Sequence, residues 1–325
     1  MKLAARFLAA ASLLAATASF AQGPATDYPN RAVTIVVPFT AGGATDVSAR
    51  KIAQLLTTQL GQTFVVENRA GASGMIGMGT VARAAPDGYT LGWGGNSPMS
   101  VSPHLVKNPP YDPRKAFSPI SLAVISSWTL ASKESLPASN FADLVKLAKA
   151  QPGKITIASS GNGSAPHLLA ELLKQSAGID LLHVPYKGEI DGVHAMLGNQ
   201  VDVMFTSTPA AVPFIKAGKL KGYAVTTSKR EPALPQLPTM AEVGQPELAV
   251  EIFFGLVAPA GTPEPIVAKL AAAMKQAVAD PGYREAMEKI GVTPTSSTPE
   301  EFARLLARHN ERWLNVIKQN NITAQ

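Results

Sequence analysis

The 325-residue chain contains no cysteine. That excludes a disulfide framework, a thiolate metal site and a cysteine nucleophile. It also lacks a dense run of basic residues: the formal charge is +6, and the lysines and arginines are scattered. A nucleic-acid footprint needs a basic stripe, so nucleic acid is not an expected partner. No short-period repeat and no low-complexity linker is visible. A segment of bilayer length is missing too. The apolar stretch from Phe7 to Thr17 is too short for a hydrocarbon core ~30 Å thick, and no charged stop follows it.

That same stretch has another meaning. Lys2 and Arg6 give a positive start, and Ser19-Phe20-Ala21 places small residues at the two positions a signal peptidase reads. The expectation is a Sec signal peptide over residues 1–21, cut after Ala21. With no cysteine at that site, a lipoprotein anchor is excluded, and the mature protein is expected to be soluble and periplasmic. Cleavage removes Lys2, Arg6 and no acid, which leaves +4. Such a field collects anions only weakly at physiological salt. An exported chain without disulfides relies on a large packed core, and this length allows one, with two domains expected.

The body of the chain alternates between strand and helix patterns. Val33-Thr34-Ile35-Val36-Val37 reads as a buried parallel strand, followed by a glycine turn. Ile52, Leu55, Leu56 and Leu60 then share one helical face that Gly61 ends. Further strands are expected over residues 64–67, 89–93, 154–158, 181–184, 201–205 and 220–226. Helices are expected over 76–84, 141–150 and 166–176. Near the C-terminus, Thr262-Pro263-Glu264 reads as an N-cap followed by a proline at the first helical position. Thr298 and Glu301 form a capping box for a last helix. Repeated strand–helix units predict an α/β protein with mostly parallel sheets. Without a linker, the chain is expected to pass between two lobes near residues 124–130 and 221–225. The first lobe would hold residues 22–125 and 223–325, the second 126–222.

Ligands of open α/β sheets bind beyond the carboxyl ends of the strands. Four loops lie at such ends: residues 38–46, 94–98, 159–164 and 185–188. The first and third are glycine-rich and open helices. Each is either a plain tight turn or an anion site built from free amides and the helix dipole. Asp46 is either a first-turn acid that suits the dipole or an acceptor for a ligand amine or a water. Lys187 is either a partner for a carboxylate or a solvated lysine, and Tyr186 can supply an apolar wall with a hydroxyl tip. His167 and His183 read first as buried histidines bonded to a carbonyl. Walker A fails, because Gly43 is followed by Ala44-Thr45-Asp46. GxGxxG, GxSxG and HExxH are missing as well. No catalytic residue, metal or cofactor is therefore expected.

Several motifs together carry a family resemblance. Val36-Val37-Pro38-Phe39-Thr40-Ala41-Gly42-Gly43-Ala44-Thr45-Asp46 resembles the first ligand loop of the substrate-binding receptors of tripartite tricarboxylate transporters, the Bug receptors. Val66-Glu67-Asn68-Arg69-Ala70-Gly71-Ala72-Ser73-Gly74 and Ala85-Pro86-Asp87-Gly88-Tyr89-Thr90-Leu91 match next, in the same order. Ser159-Ser160-Gly161-Asn162-Gly163-Ser164 with His167, then His183-Val184-Pro185-Tyr186-Lys187-Gly188, continue it. Leu237-Pro238-Thr239 and Ala258-Pro259-Ala260-Gly261-Thr262-Pro263 complete a likeness over nearly all of the mature chain.

The resemblance implies a monomeric, two-lobed periplasmic binding protein of the Venus-flytrap kind (type II). Its ligand would be a small carboxylate: a di- or tricarboxylate, an acidic amino acid or an aromatic carboxylate. Two integral membrane components would be its partners. By position, the proximal carboxylate would meet Phe39, Thr40, Ala41, Gly42 and Gly43, faced by Ser160, Gly161, Asn162 and Ser164. The far end would meet Asn96, Ser97, Tyr186, Thr206 and Phe253. The chain departs from many relatives at Glu189-Ile190-Asp191 and by lacking a tryptophan near Phe253-Phe254. Both departures bear on the distal pocket. A sensory binding module or a secreted α/β enzyme are the alternative readings of the same chain.

Overall fold

A computed structural model describes residues 27–319, so the expected signal peptide lies outside the described residues. One strand path runs through the molecule in the order β2 (Phe64–Asn68), β1 (Val33–Val37), β3 (Thr90–Gly95), β9 (Glu251–Pro259), β4 (Phe117–Lys133), β7 (Val203–Ser207), β5 (Thr156–Ser159), β6 (Leu182–Pro185). Two more strands, β8 (Leu220–Val225) and β10 (Thr293–Pro294), pair with β4. Around the strands lie α1 (Ala44–Leu60), α2 (Met75–Ala82), α3 (Phe141–Ala150), α4 (Ala165–Ala177), α5 (Glu189–Leu197), α6 (Thr208–Lys216), α7 (Glu264–Ala279), α8 (Pro281–Lys289) and α9 (Pro299–Gln319).

The two halves share one strand. β4 is 17 residues long. Its first part pairs with β9, from Phe117↔Pro259 to Ser127↔Glu251. Its last part pairs with β7 from Trp128↔Ser207 onward, and with β8. The strand therefore leaves one sheet at Ser127 and enters the other at Trp128. The return passage is bonded to it. Thr226 N–H donates to the Trp128 carbonyl at 2.9 Å, and Trp128 N–H donates to Thr226 Oγ1 at 2.9 Å. Thr226 Oγ1 in turn donates to the Val250 carbonyl at 2.6 Å. A two-lobed α/β fold with a doubled connection results.

Parallel pairing joins β1 to β2 and β3 in one lobe, and β5 to β6 and β7 in the other. These are the strands that the strand–helix units predict. The long strands β4 and β9 join antiparallel, so each sheet is mixed. β1 carries VTIVV because helices α1 and α2 both pack on it and bury Val33, Ile35, Val36 and Val37. Trp93, Phe302 and Trp313 are fully buried, and Phe302 seats α9 against β9.

Local signals act as elementary physics requires. Gly61 ends α1 in the left-handed region at φ 70°. Thr298 and Glu301 exchange hydrogen bonds at 2.9 and 3.2 Å in a reciprocal box. The cap of α7 differs by one residue: Pro263 holds the cap position, while Thr262 donates its hydroxyl back to the Pro259 carbonyl. The expected loop at residues 94–98 instead leads straight into a π-helical turn, Ser97–Val101.

Candidate functional site

The carboxyl ends of the parallel strands converge on one cleft of about 690 Å³, part of it open to solvent. Phe39, Thr40, Gly43, Ala44 and Thr45 enter it after β1, and Asn96 and Ser97 after β3. Ser160 follows β5, residues 188–190 follow β6, and Ser207 ends β7. Trp128 lines it where β4 changes sheets, and β9 adds Ile252 and Phe254. Because β9 runs antiparallel to β3, its first residues lie beside the carboxyl end of β3, with Phe254 opposite Gly95.

The first glycine loop is held from behind. Asp46 accepts from Gly42 N–H at 3.0 Å, from Arg50 Nε at 3.0 Å and from Asn68 Nδ2 at 2.9 Å. Asn68 also donates to the Phe39 carbonyl at 3.0 Å. Burial works to raise the Asp46 pKa, but the bonds from Arg50, Asn68 and Gly42 outweigh it and hold the carboxyl below its ordinary range. The side chain is therefore committed to the loop. It stands in the first turn of α1, as one of its two readings has it, does not line the cleft, and braces the loop as well. The first intrahelical bond of α1 is Val47 N–H to Gly43 carbonyl. Ala44 and Thr45 line the cleft, and their amides have no acceptor among the described residues. These are the unfilled donors of a helix N-terminus, aimed by a braced loop.

The second glycine loop does something else. Ser73 Oγ donates to the Asn162 carbonyl at 3.0 Å, and Ser102 Oγ donates to the Gly163 carbonyl at 2.8 Å. Ala165 N–H, at the start of α4, donates to Ser97 Oγ at 3.1 Å. The helix terminus expected to face a carboxylate is thus partly filled by a serine of the other lobe. Ser164 caps α4 by accepting from His167 N–H. Gly161 N–H donates to Ser159 Oγ, and its Cα faces Ser73. Gly161, Asn162 and Ser164 do not line the cleft; Ser160 does.

Other expected contacts also move. Phe253 points to the opposite face of β9, into a cluster with Phe302 and beside the His309 ring, because neighbouring strand residues alternate. Phe254 and Ile252 take the cleft side. Thr206 lies behind the wall, where its hydroxyl donates to Glu189 at 3.0 Å, and Ser207 lines the cleft instead. Tyr186 packs on a core cluster around Ala158 and Met204, Lys187 is exposed, and neither lines the cleft. Ala41 and Gly42 are exposed and outside the lining. Asn96 lines it, yet its amide is occupied. Oδ1 accepts from Phe253 N–H at 2.9 Å, and Nδ2 donates to the Glu251 carbonyl at 2.9 Å. Of the expected residues, Phe39, Thr40, Gly43, Asn96, Ser97 and Ser160 come together.

The histidines are structural. His167 Nδ1 accepts from Gly163 N–H at 3.1 Å, so its partner is an amide rather than the expected carbonyl. Its ring stacks on His183 at 4.2 Å, and His183 Nε2 meets Ser159 Oγ at 2.7 Å. Burial, helped by the neighbouring His167 and Lys174, pushes the His183 pKa down to about 4. Burial lowers that of His167 as well. Neutral rings thus brace the second loop.

Ala44, Thr45, Trp128, Gly188, Glu189, Ile190, Ser207, Ile252 and Phe254 are cleft residues absent from the expected contacts. The Glu189 side chain folds back onto the end of β7. It accepts from Thr206 Oγ1, Ser207 Oγ at 2.9 Å and Ser207 N–H. Burial raises its pKa, and those three donors only partly offset it. Among the described residues no cluster of histidine, aspartate and glutamate could hold a metal, and no helix is long and apolar enough to cross a membrane.

A two-lobed α/β molecule with an interlobe cleft at its strand ends defines the class of periplasmic binding proteins. More closely, residues 48–322 match the tripartite tricarboxylate transporter family receptors, and the chain belongs to that family. Protein BugT of Bordetella pertussis is 35% identical over 316 residues, 97% of each chain. The structure of periplasmic binding protein BugD superposes with a TM-score of 0.86 at 40% identity, covering 92% of this chain and all 100% of that one. An R. palustris protein solved with adipate gives 0.87 at 35% identity, covering 91% and 99%.

Proposed function

We propose that this protein captures a small carboxylate in the interlobe cleft outside the cytoplasmic membrane and delivers it to two integral membrane components. The amides of Ala44 and Thr45, unfilled at the mouth of α1 within the cleft, carry this reading. They offer a carboxylate neutral donors and the positive end of a helix dipole without a cation to desolvate. The adipate found with the R. palustris relative supports the ligand class. In this reading residues 1–21 direct export, the mature protein is a monomer, and it turns over no substrate. Residues up to 127 with those after 226 form one closing body and 128–225 the other, two to three residues from the expected bounds, because β4 pairs with β9 through Ser127 and β8 stays with the second sheet through Val225.

A thermal-shift screen tests it. Protein beginning at residue 22 is heated with aliphatic, amino and aromatic carboxylates and with their neutral amides. A ligand at a hundred times its dissociation constant stabilises the fold by about 2.7 kcal/mol. A shift with an acid and none with its amide is expected; equal shifts, or none with any acid, would remove the carboxylate assignment. Gly43→Val sharpens the test. Gly43 has an ordinary extended backbone and nothing within 4 Å of an added Cβ, so the fold accepts the change while the cleft loses room. Gly161→Val is a poorer probe, because φ +112° strains any side chain there.

A further inference from the structure

We propose that Glu189 sets the specificity of the cleft: it receives a hydrogen-bond donor, an amine by preference, at the far end of a monocarboxylate ligand, and it turns away a second carboxylate. This rests on the carboxylate reading above and narrows it.

The argument begins with what lines the cleft. Its wall holds one acid, Glu189, and no lysine, arginine or histidine. Phe39, Trp128, Ile190, Ile252 and Phe254 make the rest of the surface largely apolar. A ligand with two carboxylates could place one on the amides of Ala44 and Thr45. The other would then meet an apolar wall with an acid in it and no cation, which costs binding energy twice over.

The geometry of Glu189 supplies the positive half. Oε1 accepts from both Thr206 Oγ1 and Ser207 N–H, while Oε2 accepts only from Ser207 Oγ. A carboxylate oxygen has two acceptor sites, so Oε2 keeps one available. The three donors also fix the rotamer, so a ligand amine need not order the side chain. A half-buried acid held ready to accept is completed by a donor, and best by a charged one.

Two matched ligand series decide the matter by calorimetry. The first is 6-aminohexanoate, hexanoate and adipate. The second is 4-(aminomethyl)benzoate, 4-methylbenzoate and terephthalate. In at least one series the wild type is expected to bind the amine at least about tenfold more tightly than the diacid, with the methyl compound between, the scale of one charge-assisted hydrogen bond. In Glu189→Gln the amine-to-diacid ratio should fall by about tenfold or more. Glutamine keeps the size and an acceptor for Ser207, and circular dichroism checks the fold. The wild-type ranking stands without any variant. A wild type that prefers the diacid, or a ratio unchanged in Glu189→Gln, overturns the role of Glu189 and leaves the carboxylate reading intact. Binding of no member of either series overturns both.

Discussion

Phe253 and Phe254 are neighbours on β9 with opposite duties. Phe253 packs edge-on against Phe302 at 5.8 Å and His309 at 5.1 Å, inside a buried cluster. Phe254 lines the cleft, and its ring lies 2.8 Å from where a Cβ on Gly95 would stand. Phe253→Ala should therefore lower the unfolding free energy by about 3–5 kcal/mol, as large-to-small core changes do. Phe254→Ala should instead weaken ligand binding by about tenfold to a hundredfold, the range for losing one buried aromatic contact. Denaturant titration and calorimetry on both variants separate the two; equal effects on affinity would mean that the faces are misassigned. Asp46 gives a second contrast. It does not line the cleft, yet Asp46→Ala leaves Gly42 N–H without its acceptor and the Asn68 amide with only the Phe39 carbonyl. A loss of about 1–3 kcal/mol is expected from that alone, and binding should weaken because the loop that presents Ala44 and Thr45 loses its brace. A variant of full stability and full affinity would show the brace to be dispensable.

At the level of elements, α2 contains two glycines whose environments differ. A Cβ on Gly77 would lie 2.7 Å from the Arg69 carbonyl and 2.9 Å from Pro38 Cα, both backbone atoms. A Cβ on Gly79 would meet the flexible end of Arg83 at 3.3 Å. Gly77→Ala should push α2 from the start of the first cleft loop, at about 1–3 kcal/mol in stability, with weaker binding as well. Gly79→Ala should be neutral or stabilising by up to about 1 kcal/mol, from helix propensity. The reverse order in denaturant titration would overturn this packing account. The same scale explains how far the sequence could be read. β1, α1 and α3 are visible because their apolar periods and glycine or asparagine caps are local. β4 and β9 are not, since Pro119, Ser121, Ser126 and Ser127 break the apolar pattern of β4, and its pairing with β9 shifts register twice. The cleft inherits that limit. Its glycine loops sit at recognisable strand ends, and the resemblance marks them. Trp128, Ile252 and Phe254 come from the two strands that only long-range pairing reveals. The choice of Phe254 over Phe253 depends on register, in which one residue reverses the face.

Two properties belong to the molecule as a whole. The first is its response to acid. His309, on α9, is pushed down to about 4 by burial and by Arg312 and Arg308. Its unfolded value is the ordinary 6.5, so between these values the unfolded chain binds more protons than the folded one. The stability it allows is complete above pH 6.5 and is lost as the pH falls toward 4. The slope from this residue is at most about 1.4 kcal/mol per pH unit. His309→Gln should flatten the curve over that window, and an unchanged slope in denaturant titrations would assign the acid response to other groups. The second property is closure. Ser73, Ser97 and Ser102 of one lobe bond to the backbone of residues 162–165 in the other, and Gly188 approaches Thr40 so closely that a Cβ would stand 3.4 Å from its Oγ1. Neither Ser73 nor Ser102 lines the cleft. Removing both hydroxyls in Ser73→Ala/Ser102→Ala therefore leaves the ligand's own contacts in place and weakens only the joined arrangement, by about 0.5–1.5 kcal/mol for each bond. If binding requires the lobes to meet, that loss appears in affinity, because a less populated competent state lowers it in proportion. Affinity should drop about fivefold or more, and small-angle scattering should show a larger radius for the unliganded variant than for the unliganded wild type. An unchanged affinity together with unchanged scattering would mean that these bonds follow from lobe contact and do not hold it.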